Sequence, residues 1–357
     1  MRGIIFDGER LRLTDALSVR APGPGEVKVR VLRSGICHSD LNMVEGGVIR
    51  TPVVLGHEAA GEVVELGEGV SDFAVGDRVM VGTQTPCGTC RECKRGTPAN
   101  CDVTWGMAAG QPFMWNGQPT YSFSNVSSFA GEIVVKTGQL FRTDDLPPEQ
   151  AALIGCAVST GYGAARNLGQ VTAEDRAVIF GAGGIGVNAI ASAALTGAQV
   201  LAVDLNPAKE QVARDAGATH FFAATRDMDA SALAVALQEA FAPIDVAIEC
   251  SGAAVAVEAA IMATKRGGRV VLIGQSGAGA RASFDLNGLT MGKEIVATLN
   301  GGARPERDYP ELIELAKARK IDVAAQVTRV WPLAEFEDAI AALHSGQVTR
   351  AVLDHTI

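Results

Sequence analysis

The stretch from Ala177 to Asp204 constrains this chain more than any other. Ala177-Val178-Ile179-Phe180 reads as a buried strand, and Gly181-Ala182-Gly183-Gly184-Ile185-Gly186 as a tight turn. Val187 to Leu195 reads as an Ala-rich helix, and Val200-Leu201-Ala202-Val203 as a second strand that ends at Asp204. A strand that turns through glycines into a helix and returns to a strand is a nucleotide-binding unit. The glycines allow the tight turn, the approach of a pyrophosphate and close packing of helix on strand, while the helix N-terminus offers free amides to the phosphates. A carboxylate at Asp204 accepts hydrogen bonds from both adenosine ribose hydroxyls and repels a 2′-phosphate, so NAD is expected rather than NADP. Lys209, one turn into the next helix, is in reach of the same ribose or is simply a solvated lysine.

The pattern repeats in His220-Phe221-Phe222, Val246-Ala247-Ile248-Glu249, Arg269-Val270-Val271-Leu272-Ile273-Gly274 and Glu294-Ile295-Val296-Ala297-Thr298, with helical sequence before most of them. Six parallel strands in two halves make a doubly wound α/β fold. After Asn300-Gly301-Gly302 come a helix, Asp308 to Arg319, a strand near Val327 to Val330, a helix, Leu333 to His344, and a last strand, Ala351 to Asp354. This tail is expected to rejoin the first domain, where it finds a partner. Ala177 to Val203 is uncharged over a length that would cross a bilayer, but Gly181, Gly183, Gly184, Gly186 and Gly197 break it into strand, turn, helix and strand.

Before this unit, Gly3 to about Val135 reads as short strands between turns, including Arg10 to Leu13, Glu26 to Val31, Gly61 to Leu66 and Gly76 to Val81. Such spacing suggests a compact, irregular β-barrel. Ser71 to Val79 is expected as a hairpin loop with Asp72 and Asp77 as turn formers. Trp105, Phe113, Trp115, Tyr121 and Phe123 crowd Val103 to Ser128, read as a long loop that either roofs an apolar pocket, meets another subunit or fills core. The character changes near Pro147, where helical sequence begins and Cys156 falls in the linking segment.

A chain of 357 residues is long enough for two cores. Its formal net charge of −9 argues against a general affinity for nucleic acid or anionic membrane, so the expected partner is a small molecule. The N-terminus, Met1 to Asp7, reaches a charge too soon to leave room for the apolar region of a signal peptide, and a cytoplasmic location is expected. Seven cysteines, an odd number, favour metal over disulfides. Cys87, Cys90 and Cys93 recur at intervals of three and Cys101 lies eight residues on, a set that can close four thiolates around a structural zinc. Cys250 reads as a small buried hydrophobe. Cys37, His57 and Cys156 lie in three separate segments; one imidazole and two thiolates can form an open catalytic zinc site, although isolated Cys and His are more often structural.

Taken together, Gly35-Ile36-Cys37-His38-Ser39-Asp40, Gly56-His57-Glu58-Ala59-Ala60-Gly61, the four-cysteine lobe, Gly155-Cys156, Ser159-Thr160-Gly161-Tyr162-Gly163 and the Gly181 to Asp204 unit resemble the zinc-dependent medium-chain dehydrogenases, specifically alcohol dehydrogenases of the liver and glutathione-dependent type. The resemblance runs over nearly the whole chain. It implies a GroES-like β-barrel catalytic domain over residues 1–157 with a zinc lobe at 86–102, a doubly wound six-stranded parallel Rossmann domain over 158–299, and a return to the catalytic domain over 300–357. It further implies that Cys37, His57 and Cys156 hold the catalytic zinc, with Glu58 behind it and Asp40 hydrogen-bonded to His57. Ser39 is then the hydroxyl that meets the alcohol oxygen, His38 lies near the pyrophosphate, Thr160 touches the nicotinamide, Arg350 reaches a phosphate and Ile273 lines the cofactor. Asn42 stands where many relatives carry a proton-relaying histidine, and Thr83 replaces a bulky aromatic beside the metal.

The implied activity is reversible hydride transfer between NAD and a primary alcohol, aromatic or bulky alcohols included. Its rivals are oxidation of a thiol adduct of formaldehyde and a catalytically silent NAD-binding protein. Without a Lys or Arg between Val103 and Ser128, an anchor for a polar adduct is missing from that loop, and the intact ligand set speaks against the silent protein. The family suggests a homodimer, or a tetramer, formed through the edge strand near Glu294 to Asn300.

Overall fold

Val27, Val29 and Val31 alternate with Lys28 and Arg30, and this period of two makes Glu26–Ile36 an 11-residue strand with its apolar side inward. One edge pairs antiparallel with Glu58–Leu66. The other edge is shared, Glu132–Lys136 covering Glu26 to Arg30 and Arg350–Asp354 covering Arg33 to Ile36. The computed structural model describes residues 1–46, 49–106, 110–277, 279–346 and 348–357. These fall into two units, Met1–Cys156 with Arg304–Ile357, and Ala157–Ala303.

In the first unit the sheet around Glu26–Ile36 faces a second sheet of short strands, ordered Leu11–Thr14, Gly3–Phe6, Val53–Val54, Gln118–Ser122, Phe113–Trp115 and Leu17–Val19. Ile4, Val29, Val54, Ile133 and Leu353 are buried in a common core, the interior of the GroES-like barrel. Each such fully buried aliphatic side chain stabilises the fold by about 1.5–3 kcal/mol. The tail lies in this unit, with Val327–Pro332 added parallel to Arg350–Asp354. Its helix spans Pro305–Lys317, three residues earlier than the sequence suggests, because Pro305 fits the first turn and Asp308 accepts the Arg304 N–H at 2.7 Å.

The reading of Val103 to Ser128 as one long loop is corrected. Asp102–Gly106 is a short helix, and Phe113–Trp115 and Gln118–Ser122 form a hairpin. Asn116 and Gly117, with φ of 50° and 80°, supply the two-residue turn that right-handed strand twist favours. Phe113 fills core at 1% exposure, while Trp105 is half exposed at 51%.

In the second unit six parallel strands run in the order His220–Ala223, Gln199–Asp204, Arg176–Phe180, Val246–Glu249, Arg269–Leu272 and Glu294–Ala297. The order reverses between Arg176–Phe180 and Val246–Glu249, which opens a crevice at the carboxyl ends of these two strands. Alternating residues feed opposite faces: Ala177 and Ile179 enter one core, Val178 and Phe180 the other. Ala177 to Val203 divides into strand, helix Gly184–Ala194 and strand, and among the described residues no helix is long and apolar enough to cross a membrane. The turn Leu299–Gly302 belongs to this unit and not to the tail, which moves the expected 158–299 boundaries to 157 and 303. The cause is close packing: a Cβ on Gly163 would lie 2.3 Å from the Gly301 carbonyl, and Asn167 donates to the Gly302 carbonyl.

Candidate functional site

Cys37 follows the long strand and caps the helix His38–Glu45. His57 is turned inward by Gly56, whose φ of +84° suits glycine and where a Cβ would lie 2.4 Å from Ser128 Oγ. Cys156 sits within a π-helical turn, Ile154–Val158, where one extra residue per turn re-aims its side chain. Ligand atoms of Cys37, His57, Glu58 and Cys156, all buried, lie within 4.8 Å of one another. His57 Nε2 is 3.2 Å from Cys156 Sγ.

Asp40 organises this cluster. Its carboxylate, fully buried, accepts the Cys37 N–H at 3.0 Å, the Gly56 N–H at 3.1 Å and His57 Nδ1–H at 2.9 Å. That fixes the tautomer and leaves Nε2 to ligate. Burial opposes a charge on His57, yet Asp40 lifts its pKa well above the ordinary range. The Cys37 thiol is held well below its usual range by its hydrogen bond to Cys156, against burial; Cys156 is driven well above by the same bond and by burial. Two soft sulfurs and an oriented imidazole, crowded and dry, suit a tetrahedral zinc whose fourth position stays open.

Glu58 lies behind the cluster. Burial pushes its pKa up, and the Arg350 guanidinium, itself 3% exposed, pairs with one of its oxygens. The other oxygen, Oε1, is buried without a hydrogen-bond partner among the described residues. Gly35 makes room for Glu58, since a Cβ there would lie 1.9 Å from Glu58 Oε2. Ser39 Oγ is 3.6 Å from Cys37 Sγ, and the His38 and His344 rings are 6.3 Å apart. The Phe123 ring meets the His57 ring edge-on at 5.7 Å.

The lobe brings Cys87, Cys90, Cys93 and Cys101 together as free thiols. Backbone N–H groups already point at sulfur: Cys87 N to Cys101 Sγ at 3.3 Å, Cys90 N to Cys87 Sγ at 3.2 Å. The Thr89 hydroxyl and neighbouring amides pull Cys87 down to about 6, while burial pushes Cys93 up to about 12. Four sulfurs in a closed set fit a structural zinc.

In the second unit Gly181, Gly183, Gly184, Ile185 and Gly186 form the turn into the helix, with Gly181 at φ +89°. A Cβ on Gly186 would lie 1.7 Å from the Gly181 carbonyl, whereas one on Gly183 would meet nothing within 4 Å, so that side is open to a ligand. Asp204 already accepts the Ala182 and Asn206 N–H groups at 2.7 and 2.8 Å. Lys209 closes the short turn after it, and Ile273 donates its N–H to the Glu249 carbonyl at 2.9 Å. Thr160 is buried in the α-helical stretch Ser159–Gly163. Cys250 is half-buried beside this turn, more open than expected. The sequence alone did not reveal the contact of Phe123 with His57 or the Glu58–Arg350 pair, because neither residue of either pair is near its partner in the chain.

A glycine turn shaped for a pyrophosphate, in a chain that also gathers a zinc-type donor set, defines a metal-dependent dehydrogenase. Residues 23–145 match the family described as the alcohol dehydrogenase GroES-like domain, and residues 184–318 the zinc-binding dehydrogenase family. An S-(hydroxymethyl)glutathione dehydrogenase from Synechocystis is 33% identical over 98% of this chain and 97% of its own length. Benzyl alcohol dehydrogenase from Acinetobacter calcoaceticus has a similar structure, with TM-score 0.89, 28% identity and coverage of 99% of each chain. Acetophenone reductase from Geotrichum candidum, solved in complex with NAD, gives TM-score 0.78 and 27% identity over 99% of this chain and 96% of its own. The chain belongs to the zinc-dependent alcohol dehydrogenases of the medium-chain family, oxidoreductases that use NAD and here carry a catalytic and a structural zinc site.

Proposed function

We propose that this enzyme interconverts a primary alcohol bearing a bulky or aromatic group and its aldehyde, using NAD. The observation that carries the reading is Phe123, whose ring stands 5.7 Å from the imidazole of His57, at the end of the hairpin that also bears Trp115 and Tyr121. An aromatic ring beside the donor set favours an apolar substituent on the reacting carbon. Zinc, when bound, supplies Lewis acidity and NAD a hydride acceptor.

The chain's own residues do the rest. Cys37, His57 and Cys156 hold the metal, and Asp40 keeps the imidazole in the ligating tautomer. Ser39 takes the hydroxyl proton of the alcohol. Asn42 cannot titrate, so that proton passes to water instead of to a side chain at this position. Thr160, Ile273 and Lys209 serve the dinucleotide together with Asp204 and the glycine turn, while Arg350 holds Glu58 behind the metal ligands. Thr83, half-buried, leaves the pocket wider than an aromatic would.

A second reading is oxidation of an S-hydroxymethyl thiol adduct, as the name of the Synechocystis relative says of that protein. The objection that the loop offers no cation is met from elsewhere: the Arg50 guanidinium lies 5.8 Å over the Tyr121 ring. Rates with benzylic, terpenoid and short primary alcohols, set beside formaldehyde with and without glutathione, decide between them. Oxidation of formaldehyde only when thiol is present, with aromatic alcohols inert, would overturn the first reading.

A further inference from the structure

Glu249 ends a strand at the point where the sheet order reverses. It is 1% exposed, and no cation pairs with it in any ion pair among the described residues. Its carboxylate instead collects hydrogen-bond donors from the chain that follows. Ser251 donates its N–H at 2.7 Å and its hydroxyl to one oxygen; Gly252 donates its N–H at 2.9 Å to that oxygen and at 3.1 Å to the other. The main-chain carbonyl of the same residue accepts the N–H groups of Ile273 and Gly274, both at 2.9 Å.

Three segments therefore meet around one acid. Cys250 N–H donates to the Phe180 carbonyl, extending the ladder to the glycine turn. A Cβ on Gly181 would lie 3.4 Å from Ser251 Cβ, and one on Gly186 would lie 3.8 Å from Cys250 Cβ. Cys250 to Gly252 thus form the floor on which the turn rests. On the other side a Cβ on Gly274 would lie 2.1 Å from Gly252 N and 2.5 Å from Glu249 Oε2. Gly252 itself has φ +75°, and a Cβ there would strike the Gln275 carbonyl at 2.4 Å. Nothing in this packing serves the zinc sites, which lie in the other unit.

We propose that Glu249 is a positioning residue of the dinucleotide site: its carboxylate clamps Ser251 and Gly252 beneath the Gly181–Gly186 turn and sets the crevice in which NAD lies. Such a residue touches no reacting atom. It acts on cofactor affinity and leaves the chemical step alone. Glutamine keeps the shape and its one amide oxygen can still take the Ser251 donors, but its NH2 then faces the Gly252 N–H where Oε2 stood, and the negative charge that strengthens all of these bonds is gone. The Gly252 N–H loses one of its two acceptors and the Ser251 bonds weaken to neutral ones, which loosens the clamp.

The test compares zinc-loaded wild type with Glu249→Gln and Ser251→Ala. NADH dissociation constants are read from nucleotide fluorescence, alongside zinc content, thermal melting, and kcat and KM for NAD and for an alcohol. In Glu249→Gln the NADH dissociation constant and the KM for NAD should rise about tenfold, with kcat within about twofold and two zinc per chain. Ser251→Ala should move the same constants in the same direction by less. An unchanged NADH affinity in folded Glu249→Gln overturns the proposal, as does a fall in kcat with the KM for NAD unmoved. If Glu249→Gln fails to fold, Ser251→Ala decides: raised NADH dissociation supports the clamp and an unchanged value overturns it. Wild type that fails to bind NADH would instead sink the dinucleotide reading on which the clamp rests.

Discussion

Asp40 carries more of the catalytic centre than any single ligand does, because one carboxylate fixes the chain at Cys37 and at Gly56 and the ring of His57. The ligands are nonetheless where chemistry is lost first. Cys156→Ser should abolish turnover and leave one zinc per chain in a folded protein, as metal analysis and circular dichroism will show; turnover retained without the second zinc would rule this centre out. Asn42→His should raise turnover toward the acidic side of the pH profile by supplying a titrating group, and an unchanged profile would mean the proton never passes this position. His355 makes a separate pH prediction. Burial lowers its pKa to about 4, and its Nε2 lies 2.9 Å from Ser34 Oγ. Because a histidine in the unfolded chain titrates near about 6.5, the unfolded state binds a proton that the folded state excludes. Its contribution is complete above about pH 6.5 and is lost as pH falls toward 4, by up to roughly 3 kcal/mol. Denaturant melts near pH 7 and near pH 5 measure this, and His355→Gln should flatten the difference. At this scale the ligand cysteines and His57 were legible because their motifs are local, while the pairing of Glu58 with Arg350 spans 292 positions and was not.

Among elements, the cysteine lobe is held by sulfur more than by core, since only Cys101 of its four cysteines is buried. Cys93→Ala should therefore lower the melting temperature by roughly 5 °C or more and release one zinc, while kcat falls less than stability. Equal loss of activity and stability would contradict the separation of the two zinc sites. The hairpin Phe113–Trp115 and Gln118–Ser122 shows where element reading went astray. Asn116-Gly117 between two aromatic runs is a strong hairpin signal, but the surrounding glycines and prolines obscured the short strands. The π turns at Ile154–Val158 and Ala164–Leu168 had no signal at all, because helical periodicity does not distinguish one inserted residue. The Ala177 to Asp204 unit was legible almost residue by residue, since turn, helix and strand there each obey their own local rule.

At the scale of the whole molecule, the parallel sheet ends at Glu294–Ala297, a strand paired on one side only among the described residues. Leu286, Met291 and Leu299 around it are exposed by 71%, 56% and 54%. We propose that two copies join along this edge, which would close an open strand and cover the apolar side chains. Light scattering should find a dimer that Leu286→Asp with Met291→Lys converts to monomer; a wild-type monomer would refute it. Arg350–Asp354 pairs with Glu26–Ile36, and Arg350 holds Glu58 beside the catalytic cluster. During synthesis the four-cysteine lobe emerges whole within a few dozen residues and can capture its ion while the ribosome is still working. The buried partner of Glu58 comes only with a strand made more than three hundred residues after Cys37, so a chain truncated before Arg350 should lose activity while the lobe keeps its zinc.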